Sequence, residues 1–165
     1  PYLKELKKEL DYLILGNHGD WSIGSPYTGR LNQRWQLHRY FADAVEGMES
    51  GLFLYLAHPD LMLNGYPQFD DTAKYLSRQL CREAKRLGIP LEYNLYGMYK
   101  PQGCEGLGYP YGPFWEIAAE ENARAVVGVD AHSPEQFKTS DLEAAFAYLR
   151  GLGITVLEDP MEAAK

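Results

Sequence analysis

The chain has 165 residues, 45% of them hydrophobic and 24% charged, an ordinary balance that predicts one core and a single domain over residues 1–165. A net charge of −7 excludes non-specific nucleic-acid binding, because no basic stripe is available to neutralise phosphates, and no apolar run reaches transmembrane length. No signal peptide opens the sequence, and Cys81 and Cys104 are unpatterned, so a reducing cytoplasm fits better than a disulfide framework.

In chain order, Leu3, Leu6 and Leu10 stand at helical spacing between charges and predict an amphipathic helix over residues 1–10. Residues 11–16 read as a strand that ends in Asn17-His18-Gly19-Asp20, and residues 21–30, rich in Gly, Ser and Pro, read as a surface loop. A helix over residues 32–50 is predicted to turn Trp35, Tyr40, Phe41, Ala44, Val45 and Met48 inward, with Gly51 just past its end. A second strand, residues 52–57, ends in His58-Pro59-Asp60. After a loop over residues 61–69, Asp70 or Asp71 is placed to cap a helix that reaches Leu87 and stops at Gly88.

Residues 91–95 form a third predicted strand, on which Glu92 and Asn94 share one face, and residues 96–112 form a long loop heavy in Tyr, Gly and Pro. A helix over residues 114–123, opened by Pro113, feeds a strand at 125–129 whose β-branched Val126, Val127 and Val129 suit a parallel sheet covered on both faces. Ser140-Asp141-Leu142-Glu143 fits a capping box for a helix to Leu149. A last strand spans residues 154–157, and residues 161–165 read as a frayed tail. The alternation of helix and strand predicts βα units around a mainly parallel sheet, either a barrel or an open doubly wound layer.

The last valine strand ends abruptly in Asp130-Ala131-His132. Asp-x-His spacing puts a carboxylate and an imidazole on one side of an extended backbone, where both reach one ion. The same residues also suit a plain turn at Asp130 and a helix start at Ser133-Pro134-Glu135. Three of the four histidines, His18, His58 and His132, fall at strand ends, where parallel folds gather functional groups, whereas His38 lies in a helix on a polar stretch.

The stretches Asp11-Tyr-Leu-Ile-Leu-Gly-Asn-His18, Leu56-Ala-His-Pro-Asp60, Leu91-Glu-Tyr-Asn94 and Gly128-Val-Asp-Ala-His-Ser-Pro-Glu135 resemble, in order, the later motifs of the polymerase-and-histidinol-phosphatase (PHP) superfamily. The likeness is strongest to its histidinol-phosphatase type. It implies a distorted TIM-like β/α barrel with divalent metals, Zn, Mn or Fe, that hydrolyses a small phosphorylated substrate such as histidinol phosphate. Related hydrolysis of phosphotyrosine, nucleotides or nucleic-acid ends is also within its range. His18, His58, Asp130 and His132 match metal-ligand positions of that pattern, Asp130 and His132 being the catalytic pair as well. Glu92 and Asn94 match its polar strand-end pair, whose role is either contact with the substrate or support behind the metal ligands.

Two departures follow. The family's opening His-x-His and the further His and Glu ligands after it have no counterpart, so the chain is expected to be the C-terminal portion of a barrel and, alone, to turn over slowly or not at all. A non-catalytic binding or assembly role is the alternative that this absence favours. Where members of the family carry an Arg, this sequence has Lys100, able to hold a phosphate as a point charge and unable to grip it with two parallel hydrogen bonds.

Overall fold

A computed structural model describes residues 2–19, 27–99 and 106–164. Among them five helices, α1 (Tyr2–Glu9), α2 (Arg34–Glu49), α3 (Asp71–Leu87), α4 (Gly112–Glu120) and α5 (Thr139–Gly151), alternate with extended segments. The best-specified is α3. Asp70 caps it by accepting from the Ala73 amide at 2.9 Å, and Gly88 closes it at φ 71°, a left-handed conformation that glycine adopts without a Cβ clash. Ala73, Leu76, Ser77, Leu80, Cys81 and Ala84 recur every three or four residues along one buried stripe, which packs against α2 and α4.

Helix α2 is shorter than its predicted span and opens on a reciprocal cap between Gln33 and Gln36. Its inward residues are Leu37, Tyr40, Ala44 and Met48, with Phe41 and Val45 half-buried. Trp35 is 62% exposed, contrary to its predicted inward position. Two residues before Leu37 it lies about 200° round the helix, on the far side from the stripe. Helix α1 forms as expected, but Leu3 and Leu10 are 41% and 50% exposed and the helix buries no residue. Helix α4 ends at Glu120, three residues early, because Asn122 turns left-handed (φ 56°) and lets the Ala123 amide bond back to the Ala118 carbonyl. The expected box at Ser140 does not form. Helix α5 has already begun at Thr139, so Ser140 sits inside the first turn and its hydroxyl reaches Asp141 instead.

Two strands, β1 (Leu91–Asn94) and β2 (Ala125–Gly128), run parallel in full register, Leu91 opposite Ala125 and Asn94 opposite Gly128. The other three predicted strands are reduced to single bridging residues, Leu15, Leu56 and Val156, each joined in parallel to its neighbour. Their backbone bonds are sound but few. Leu15 N donates to Tyr55 O and Ala57 N to Leu15 O, while Leu157 N donates to Ala125 O at 2.8 Å. The left-handed Gly51 and His58 bracket the second segment. The five segments therefore lie in chain order, Leu15, Leu56, β1, β2, Val156, all parallel. The result is an α/β fold. Among the described residues this layer does not close into a barrel, since the Leu15 and Val156 segments bridge on one side only.

Both faces of the layer are covered. Leu56, Leu91 and Ala125 join the main core under the helices, while Val126, pointing to the opposite face, packs with Leu54, Tyr55 and Leu157. The expected frayed tail is in part a turn, Pro160–Ala164, whose Ala163 touches this smaller cluster. Of the long predicted loops, residues 20–26 and 100–105 lie outside the described residues, and Thr28–Arg30 and Leu95–Tyr99 form 3-10 turns. Among the described residues no helix is long and apolar enough to cross a membrane.

Candidate functional site

The ends of the parallel segments open onto one cavity of about 450 Å³. His18, His58, Glu92, Asn94, Asp130 and His132 line it, together with Tyr27, Tyr55, Tyr96 and Tyr109. Thus six of the seven residues singled out from the sequence converge. The seventh, Lys100, lies outside the described residues. His38 is exposed on α2, away from the cavity. Asp60 of the His-Pro-Asp motif turns away as well. It is wholly buried, and its Oδ2 accepts from the Tyr111 amide at 2.7 Å and the Trp115 indole at 3.0 Å.

Two of the lining residues are held in left-handed backbone, His58 at φ 32° and Asp130 at φ 47°. Such conformations cost about 1–3 kcal/mol each for residues with a Cβ, and they persist where the surroundings enforce them. At Asp130 the turn follows β2 directly, and at His58 it opens the 3-10 turn Pro59–Leu63. Each chain reversal aims a side chain at the cavity rather than along the strand.

The donors stand in two pairs. The rings of His18 and His58 meet edge to face, their centroids 4.7 Å apart. His132 Nδ1 lies 2.8 Å from the Asp130 carbonyl oxygen and 4.0 Å from its Oδ1. A carbonyl only accepts, so the neutral His132 ring carries its proton on Nδ1 and presents the lone pair of Nε2. The Tyr96 ring stacks on this imidazole at 3.9 Å and fixes its plane.

Glu92 and Asn94 lie between the pairs. Glu92 Oε2 accepts from the His58 amide at 3.0 Å and from Asn94 Nδ2 at 2.9 Å, while Asn94 Nδ2 also reaches Asp130 Oδ2 at 3.3 Å. Burial raises the Glu92 carboxyl above its ordinary range, these hydrogen bonds opposing the rise. Burial first, and negative or phenolic neighbours after it, hold Tyr27, Tyr55 and Tyr109 above the usual phenol range, so they remain protonated donors. The described lining contains no Lys or Arg.

Imidazole nitrogens and carboxylate oxygens are the donor set that suits Zn, Mn or Fe, so the chemistry of the lining fits a divalent ion. Among the described residues, however, no three His, Cys, Asp or Glu groups are gathered as a ready cage. Each pair offers two donors, and an ion would complete its shell from other groups.

Sequence reasoning passed over Tyr27, Tyr55 and Gly128. Tyr55 carried a usable signal, since it alternates with Ala57 on the strand leading to His58, whereas Tyr27 lay in a loop without periodicity. Gly128 read only as the end of a strand. In the structure a Cβ there would fall on the Glu92 carboxylate. No family model matches this chain, and no curated protein matches it.

Proposed function

We propose that this chain forms part of a metal-dependent phosphoesterase site of the PHP type, acting on a small phosphomonoester such as histidinol phosphate. The observation that carries the reading is the convergence of His18, His58, Asp130 and His132 on one cavity whose described lining holds carboxylates, imidazoles and phenols but no cationic side chain. An anionic substrate entering such a cavity needs positive charge from another source, and the two donor pairs are where divalent ions would be held. The chain-order parallel segments support the finer architectural reading, a partial, distorted TIM-like barrel with its functional groups at the carboxyl ends of the strands.

In this reading His18 and His58 hold one ion and Asp130, with His132 through Nε2, holds another. Zn, Mn or Fe bound there would supply Lewis acidity toward water and toward the phosphoryl oxygens. The chain's own groups do the rest. His132 keeps its proton on Nδ1 against the Asp130 carbonyl and so offers Nε2 inward. The neutral hydroxyls of Tyr27, Tyr55 and Tyr109 donate to phosphoryl oxygens, and their rings wall the leaving group. Lys100 is the cation this reading assigns to the phosphate.

A binding or assembly module without turnover is the second reading, favoured by donors that stand in pairs rather than threes. Phosphate release from histidinol phosphate and from an aryl phosphate, with Mn²⁺ or Zn²⁺ added, separates the two. Under the first reading turnover is metal-dependent and falls at least about 100-fold in Asp130→Asn. Phosphate release that needs no metal, or that is unchanged in Asp130→Asn, would overturn it, whereas metal uptake without any phosphate release favours the second.

A further inference from the structure

We infer that Glu92 and Asn94 are positioning residues, a brace that sets the spacing between the His18/His58 pair and the Asp130/His132 pair. This deepens the metal-site reading above and rests on it. The topology supplies the reason. Strand β1 lies between the segment that ends in His58 and strand β2, which leads to Asp130. Glu92 and Asn94, two residues apart on β1, share the face toward the cavity, so one reaches each way.

Asn94 and one carboxylate oxygen of Glu92 are engaged within the protein. Asn94 is 1% exposed, donates from Nδ2 to Glu92 and Asp130, and accepts the Tyr96 amide on Oδ1 at 3.0 Å. Glu92 is 5% exposed, and its Oε2 takes two N–H donors. Its Oε1 lies against Gly128, in space that a β-carbon at that position would take. The brace ends at the two left-handed residues of the site: one arm holds the His58 amide and the other the Asp130 carboxylate. A hydrogen bond to each is what keeps an otherwise unfavourable turn aimed inward.

The test uses the chain with Co²⁺ as the probe, its visible absorption reporting ligand number, together with hydrogen exchange of the His58 amide in metal-free protein. Glu92→Ala, and Gly128→Ala, which displaces the Glu92 side chain without deleting it, are expected to weaken Co²⁺ binding about 10- to 100-fold, with unchanged far-UV circular dichroism. His58 amide exchange should quicken at least about tenfold in both. Glu92→Gln keeps the shape and an acceptor oxygen, and should restore both readouts to within about threefold of the parent. Asn94→Ala removes the Asp130 arm together with the Asn94 bonds to Glu92 and the Tyr96 amide, but not the Glu92 bond to the His58 amide, so it should change the Co²⁺ spectrum and leave that amide more protected than in Glu92→Ala. Unchanged Co²⁺ binding in the alanine variants, or unchanged His58 exchange, would overturn the brace. If the parent chain takes up no Co²⁺ the metal-site reading falls, and the exchange data alone then decide the brace.

Discussion

Asp60→Asn isolates one buried charge. Asp60 has no exposed surface, its Oδ2 accepts two hydrogen bonds, and its Oδ1 has no hydrogen-bond partner among the described residues. Burial pushes its carboxyl from the ordinary 3.8 up to about 7, against the opposing pull of the Tyr111 and Trp115 donors. An acid whose pKa rises on folding favours the protonated native state. Its stabilising contribution is therefore full below about pH 4, is lost as pH rises toward 7, and stays lost above it. At about 1.4 kcal/mol per pH unit the whole window is worth about 4 kcal/mol, of which about 3 falls between pH 5 and pH 8. The asparagine variant carries no charge at any pH. It does place an NH₂ where Oδ1 lacks a partner, at a pH-independent cost of about 1–3 kcal/mol. The quantity to measure is the difference in unfolding free energy between parent and variant, from urea denaturation with a chelator present at pH 5, 6, 7 and 8. It should move in favour of the variant by about 3 kcal/mol across that range. A difference constant to within about 0.5 kcal/mol would refute the claim that burial dominates the Asp60 carboxyl.

At His58, where φ is 32°, glycine should be the better replacement: His58→Gly is expected to exceed His58→Ala in stability by about 1 kcal/mol, read from urea midpoints, and equal midpoints would show that the turn is unstrained. Zn²⁺ at about 100 times its dissociation constant should add about 2.7 kcal/mol to the parent's stability in thermal unfolding, an increment reversed by chelator and absent from a His58→Ala, His132→Ala double variant. Asp70→Ala removes the acceptor for the Ala73 amide and the partner of Arg34, and should cost about 1–2 kcal/mol by chemical denaturation.

Periodicity and chain ends carried much of the fold in the sequence. The span of α3 and its caps are local facts of residues 70–88: the helix reaches Leu87 and stops at Gly88 as read, and of the two candidate caps Asp70 is the one used. The extended segments were legible as apolar runs, and their parallel order as alternation with helices, but not the length of each ladder. That length depends on how many backbone groups of each segment meet a neighbour, which is a tertiary fact that spacing does not encode. Trp35 was misplaced because a large apolar side chain weighs on a pattern more than its angle around the helix does. At the site, the strand-end histidines and Asp130 were visible because they interrupt apolar runs. Glu92 and Asn94 were visible as polar residues on a buried strand, but their mutual hydrogen bonds, and the dependence on Gly128, are tertiary. Tyr27 reaches the cavity from a loop whose path no local rule dictates.

The order of the extended segments has a consequence for how the chain is made. Each bridged pair is separated by 31 to 41 residues, from Ala125–Val156 at the short end to Leu15–Leu56 at the long. Loop-closure entropy differs by only about 0.2 kcal/mol across that range, so no single docking step is an entropic bottleneck. The layer can grow from its amino-terminal side as each segment emerges during synthesis. The donors, however, come from opposite ends of that growth. His18 and His58 are in place after two segments, whereas Asp130 and His132 arrive only with the fourth. A half-made chain thus has one pair and nothing to face it, so the cavity is lined from both sides only as folding nears completion.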